Sequence, residues 1–141
     1  MRWRTSRGHQ AAVSGVRVLL ALAFITAGVL HFVKPEPYLA IMPPWLPAHA
    51  LLVQISGVAE LAGGIGLLVE RWRRAAGIGL MLLLLAILPA NIQMLLNYQA
   101  RGAPAGEITL LWLRLPLQLV LMAAVWWVAV RSSAAKARPE R

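Results

Sequence analysis

The chain has 141 residues, of which 60% are hydrophobic and only 13% charged, and its formal net charge is +9. This composition is typical of a single membrane domain and excludes an ordinary soluble domain. The basic residues flank apolar runs, and this distribution indicates membrane topology and not nucleic-acid binding. The absence of cysteine excludes disulfides, thiol catalysis and cysteine-ligated metal clusters.

Four apolar runs predict an all-α fold, an integral membrane four-helix bundle. A hydrocarbon core about 30 Å thick needs roughly 20 apolar residues of helix. The predicted spans cover residues 11–33, 51–69, 75–96 and 107–130, between a basic arm at 1–10 and a basic tail at 131–141. We expect the tail to be disordered. A cleaved signal peptide is disfavoured, because only three uncharged residues separate Arg17 from the A-L-A sequence that resembles a cleavage site.

The loop between the first two spans, residues 34–50, holds five of the nine prolines. Proline at this density prevents a continuous helix. Pro43, Pro44 and Trp45 lie in its most apolar part, and we expect them to form a cap at the outer membrane interface. Two interpretations stay open: a lid over a site between the helices, or a plain interfacial loop.

The second span carries Glu60 near its middle, framed by Ser56, Gly57, Gly63 and Gly64 at helical spacing. A carboxylate at that depth costs a few kcal/mol in a bilayer, so it indicates a functional site or a fixed partner. Small residues around it allow another helix or a small ligand to come close.

The third and fourth spans each contain a proline. Pro89 leaves the carbonyl of Leu85 without its helical donor, and Pro116 lies between Arg114 and Gln118. Polar groups and free backbone acceptors therefore occur together in the membrane.

The distribution of basic residues predicts the orientation. Eleven of the fourteen Lys and Arg residues lie in the N-terminal segment through Arg17, the turn around residues 71–74 and the tail, and only Lys34 and Arg101 lie in the opposite loops. The positive-inside rule then places both termini in the cytoplasm, in a multi-pass protein of the cell's inner (plasma) membrane.

Each span contributes at least one polar residue that is costly in lipid: His31, Glu60, Asn91, and Arg114 with Gln118. We predict that these five form one cluster, with Glu60 and Arg114 as its ion pair, because a lone charge in lipid is costly. The cluster is either a ligand pocket or a structural staple between helices, and both interpretations stay open.

No metal site is predicted. The methionines show no ligand spacing for copper, and His31 has no second histidine within the spans for a haem.

Several short motifs resemble those of the DoxX-like family (DoxX/DoxD) of four-helix integral membrane proteins. The motifs are A-G-V-L-H-F with K-P-E-P (Ala27–Phe32 and Lys34–Pro37), P-P-W-L-P (Pro43–Pro47), S-G-V-A-E-L-A-G-G-I-G-L-L (Ser56–Leu68), P-A-N (Pro89–Asn91) and R-L-P-L-Q (Arg114–Gln118). The resemblance implies a four-helix membrane bundle and an association with membrane oxidoreductases such as thiosulfate:quinone oxidoreductase. It implies the fold more strongly than the activity, since such relatives differ in function.

Two functional hypotheses follow. In the first, the protein is a small subunit or accessory of a membrane redox system and binds a quinone-like or other small lipophilic molecule. His31 or Glu60 would exchange protons with it, while Arg114, Asn91 and Gln118 hold its oxygens. In the second, the protein is a non-catalytic assembly or scaffold protein, and the polar cluster serves folding only. Small-residue faces make a homodimer an expected assembly, and transport of a small solute is a third, weaker hypothesis.

Overall fold

The computed structural model describes residues 7–131, which are helical throughout apart from short connections and contain no strand. The helices are α1 (Arg7–Val33), α2 (Glu36–Leu39), α3 (His49–Leu68), α4 (Arg73–Ala100) and α5 (Ala105–Val125), and α5 continues into a π-helical segment, Trp126–Arg131. Four of these are long and apolar enough to cross a membrane, the last of them running to Val130. The prediction of an all-α fold with four such helices is confirmed. Most of the predicted basic arm and tail lies outside the described residues.

The short helix α2 is an element that the sequence analysis missed. It begins directly after Pro35 and includes Pro37 in its first turn, where a proline's missing N–H costs no hydrogen bond. At the end of the same loop Ala48 adopts a left-handed backbone conformation, with φ 51°. The proline-rich loop is therefore one helical turn followed by tight turns.

The long helices run antiparallel and leave two distinct ends. We name the end with Arg7, the 69–72 turn and Arg131 the termini end, and the end with residues 34–48 and 101–104 the loop end. At the loop end Gly102 has φ +66°, which lets the chain reverse from α4 into α5 without strain.

Helix α1 packs mainly on α3, α3 on α4, and α4 on α5. Helix α1 contacts the short π-helical segment more than it contacts the whole of α5. The bundle is thus closed at the termini end and open between α1 and α5 toward the loop end.

The close contact between α1 and α3 depends on glycines. A Cβ added at Gly57 would lie 2.7 Å from the Cβ of His31 and 3.2 Å from the carbonyl oxygen of Gly28. One added at Gly64 would lie 2.9 Å from the carbonyl oxygen of Ala21. Gly57 and Gly64 therefore form a seam between the backbones of α1 and α3.

Apolar and polar buried groups occupy different parts of the bundle. The apolar core fills the termini end, where α1, α3, α4 and the π-helical segment meet; its members include Leu20, Phe24, Leu67, Leu80 and Val128. The buried polar side chains of the middle and loop end are those of His31, Glu60, Asn91 and Gln118. The segregation leaves the polar groups beside the open side of the bundle.

Candidate functional site

The site centres on a buried pair between α1 and α3. His31 and Glu60 retain only 6% and 7% of their accessible surface, and the Nδ1 atom of His31 lies 3.3 Å from Oε2 of Glu60. The same Nδ1 lies 2.9 Å from the carbonyl oxygen of Ala27, one turn earlier in α1. Oε2 of Glu60 is fully buried and accepts no well-aligned hydrogen bond from the described residues. The carboxylate is therefore held in ion-pair range while its hydrogen-bonding capacity is not fully used.

The predicted ion pair between Glu60 and Arg114 is wrong. Glu60 lies beside His31, whereas Arg114 is exposed on α5 and its Nη1 donates a long hydrogen bond to Sδ of Met94, at 3.9 Å. The physical reason is the packing order: the glycine seam brings α3 against α1, and α5 lies on the far side of α4.

Asn91 and Gln118 form a second, separate polar pair between α4 and α5. The Asn91 amide donates to Oε1 of Gln118 at 2.8 Å, and the Gln118 amide donates to the carbonyl of Leu84. That carbonyl lies one residue before Leu85, whose helical donor Pro89 removes. The hydrogen-bonding groups of these amides pair with each other and with a backbone carbonyl. Such an arrangement is typical of a structural contact that holds two helices together.

Tyr38 covers His31 from the loop side. The ring centroids of Tyr38 and His31 are 3.7 Å apart and the planes are inclined by 29°, a stacked arrangement. Burial raises the pKa of the Tyr38 phenol above its usual value, as does the charge of Glu60, while Arg114 opposes the shift. Tyr38 thus stays protonated at neutral pH and shields the His31–Glu60 pair.

A cavity of about 170 Å³ opens beside this pair, between α1, α2 and the start of α3. It is lined by His31, Phe32, Pro35, Leu39, Ala50, Val53 and Gln54. The wall is mostly apolar, and His31 and Gln54 provide its polar groups. Of the predicted polar cluster, therefore, only His31 contacts the cavity.

The predicted lid residues are not among those that line the cavity. Pro43 is buried, and its carbonyl accepts a hydrogen bond from the backbone N–H of Leu46 and lies 3.0 Å from Nε2 of His49. Pro44 is exposed, and Trp45 keeps 68% of its surface accessible. The part of the loop that walls the cavity is α2 with Pro35. A role for Pro43, Pro44 and Trp45 as a lid stays a prediction.

The structure thus divides the five predicted site residues. It joins His31 to Glu60 and Asn91 to Gln118, and it leaves Arg114 exposed near the open side of the bundle.

The sequence analysis missed Tyr38 and Gln54 as site residues. Tyr38 lies on α2, a separate short helix that the prolines of this loop hid from a sequence reading. Within residues 7–131 no group of three or more His, Cys, Asp or Glu side chains is placed to hold a metal ion.

Residues 20–129 match a family model described as a domain of unknown function, DUF8561. The match covers most of the chain, from within α1 to the π-helical segment, so the chain belongs to this family. Neither the curated proteins nor the solved structures give a match.

The resemblance to the DoxX-like family is therefore wrong, because the family that matches is a different one. The physical reason lies in the motifs. The stretch from Ser56 to Leu68 consists largely of small and apolar residues, and in the structure its glycines serve close packing of α3 against α1 and α4. Close helix packing in membranes selects such residues whatever the function, so their recurrence is weak evidence of kinship.

Proposed function

We propose that this chain is a multi-pass protein of the inner (plasma) membrane that binds the ring of a small lipophilic molecule in the cavity beside His31 and Glu60. Both termini and the 69–72 turn would face the cytoplasm. The observation that carries the proposal is the cavity itself, apolar on most sides, with the buried His31–Glu60 pair at one wall. Binding sites for small molecules combine an apolar lining with a few placed polar groups in this way.

The size of the cavity limits the ligand. An apolar cavity of about 150 Å³ accepts one benzene-sized molecule, whereas pockets for drug-sized ligands start near 300 Å³. About 170 Å³ therefore takes one six-membered ring with a small substituent. Any longer tail must lie outside the cavity. By size, a quinone ring belongs to this class of ligand. If a quinone is the ligand, we also propose that the protein has a redox partner subunit.

A cavity-filling variant tests the proposal. Ala50 is an exposed residue of α3 that lines the cavity, so Ala50→Phe should fill it without disturbing the buried seam. The matched control is Ala62→Phe, also exposed on α3 and outside the cavity. Saturation-transfer NMR on the purified protein in detergent, with 4-propylphenol as probe, should show binding to the wild type and to Ala62→Phe and none to Ala50→Phe. Equal binding to all three would overturn the proposal.

A scaffold role is the second candidate, and the Asn91–Gln118 pair favours it. Its amides are buried and bonded to each other and to the Leu84 carbonyl, and none of these residues lines the cavity. If Ala50→Phe keeps the protein's membrane partners in a co-purification while Gln118→Leu loses them, the fold and not the cavity carries the function.

A further inference from the structure

The proton on the His31 ring can be assigned from its contacts. A carbonyl oxygen only accepts hydrogen bonds, so Nδ1, at 2.9 Å from the carbonyl of Ala27, must carry the hydrogen. The carboxylate of Glu60, 3.3 Å from the same Nδ1, is also an acceptor and favours the same tautomer. In the neutral ring Nε2 is then an unprotonated acceptor.

The Nε2 edge of the ring is the part left to face a ligand. Nδ1 is directed at Ala27 and Glu60, and one ring face is covered by Tyr38. Among the described residues nothing donates a hydrogen bond to Nε2, and the His31 side chain lines the cavity. The cavity therefore presents a hydrogen-bond acceptor within a mostly apolar wall.

We propose that the ligand carries a ring hydroxyl, of the phenol or hydroquinone type, which donates its hydrogen bond to Nε2 of His31. This inference rests on the proposed function and narrows its ligand class. A ring bearing only carbonyl or ether oxygens has no hydrogen to donate and would leave Nε2 unpaired, which weakens binding. Glu60 does not itself line the cavity, and its Oε2 lies 3.3 Å from Nδ1, the ring nitrogen that does not take part in the proposed bond.

Gln54 is the competing partner, because its amide also lines the cavity and can both accept and donate. The two side chains differ in exposure: Gln54 is exposed, whereas His31 is buried. A hydrogen bond to Gln54 competes with water or headgroups and contributes little selectivity.

The test compares 4-propylphenol with its O-methyl ether, 4-propylanisole, on the full chain in detergent. For each ligand, the signal of Ala50→Phe is subtracted as the baseline for partition into micelles. The wild type should bind the phenol roughly threefold to tenfold tighter than the ether, the range expected for one neutral hydrogen bond. Gln54→Leu should keep this preference, and His31→Phe, which retains a ring against Tyr38, should lose it.

Each outcome bears on one statement. Equal affinity for phenol and ether in the wild type overturns this inference, and so does a preference that survives His31→Phe or disappears in Gln54→Leu. If both ligands bind equally and Ala50→Phe abolishes both, the cavity of the proposed function stands while the hydroxyl does not. The wild-type comparison needs no variant, so it decides the question even if His31→Phe fails to fold.

Discussion

Glu60 depends on His31, because no other basic side chain of the described residues lies within ion-pair distance of its carboxylate. Removing one partner of a buried polar pair leaves an unsatisfied hydrogen-bonding group, which typically costs about 1–3 kcal/mol, whereas replacing both by apolar side chains is often nearly neutral. We expect His31→Phe to lower the free energy of unfolding by about 3 kcal/mol and His31→Phe/Glu60→Leu to regain most of it. Reversible unfolding in mixed detergent–SDS micelles measures both.

The exposed ion pair between Arg101 and Glu107, with N–O distance 3.5 Å, is the matched control. Exposed pairs contribute about 0–1 kcal/mol. A double-mutant cycle on this pair should give a coupling energy below about 1 kcal/mol, and the cycle on His31 and Glu60 one above about 2 kcal/mol, because the double variant regains most of what His31→Phe loses. Equal coupling energies would show that the buried pair is not an energetic unit.

Arg114 illustrates the opposite case, a charged residue that the fold leaves exposed on a membrane-spanning helix. Its side chain makes a weak contact with Met94, and it forms no ion pair with Glu60. An arginine at the centre of a span costs about 2.5–3.5 kcal/mol on insertion scales. We therefore expect Arg114→Leu to leave the free energy of unfolding unchanged or to raise it. Glu60→Leu alone should lower it, because that variant removes the partner of His31. A loss of more than about 1 kcal/mol in Arg114→Leu, in the same SDS assay, would contradict the exposed placement.

At the scale of helices, the α1–α3 seam sets which polar groups meet. Gly57 lies where a Cβ would come within 2.7 Å of His31 and 2.8 Å of Phe32. Gly57→Ala should therefore force the helices apart and cost about 1–3 kcal/mol, the usual effect of overpacking. It should also weaken ligand binding, since the cavity lies between the same two helices.

Gly79 is the matched control on α4, because a Cβ added there meets nothing within 4 Å. Alanine favours a helix over glycine by about 0.8–1.0 kcal/mol. Gly79→Ala should accordingly be neutral or slightly stabilising in the same unfolding assay. If both variants behave alike, the close approach at Gly57 is not what holds α1 to α3.

The helices themselves were predictable, since their length and apolar character are local properties of the sequence. The partner of Glu60 was not. Charge complementarity favoured Arg114, the stronger base. The neighbour of Glu60 is instead set by which helix packs against the glycines beside it. That packing depends on the relative rotation of α1 and α3, which the sequence does not specify. The stacking of Tyr38 on His31 was also hidden, because it requires α2, a four-residue helix begun by prolines.

For the whole molecule, the packing order leaves one side of the bundle open. Helices α1 and α5 join through the π-helical segment at the termini end and separate toward the loop end. Arg114 lies near this opening, and its charge reaches Tyr38. The cavity is lined by residues of α1, α2, their connection and α3, so this opening between α1 and α5 is separate from the cavity lining.

Orientation in the membrane can be tested cleanly because the chain contains no cysteine, so each introduced cysteine is the sole thiol. Ala100 lies exposed at the loop end of α4, and Val69 lies at the termini end after α3. The excess of Lys and Arg at the termini end predicts that this end is cytoplasmic. In spheroplasts, a membrane-impermeant maleimide should label Ala100→Cys at once and Val69→Cys only after permeabilisation. The reverse pattern would contradict the proposed orientation, and immediate labelling of both would contradict a membrane crossing by α4, because the two sites flank that helix.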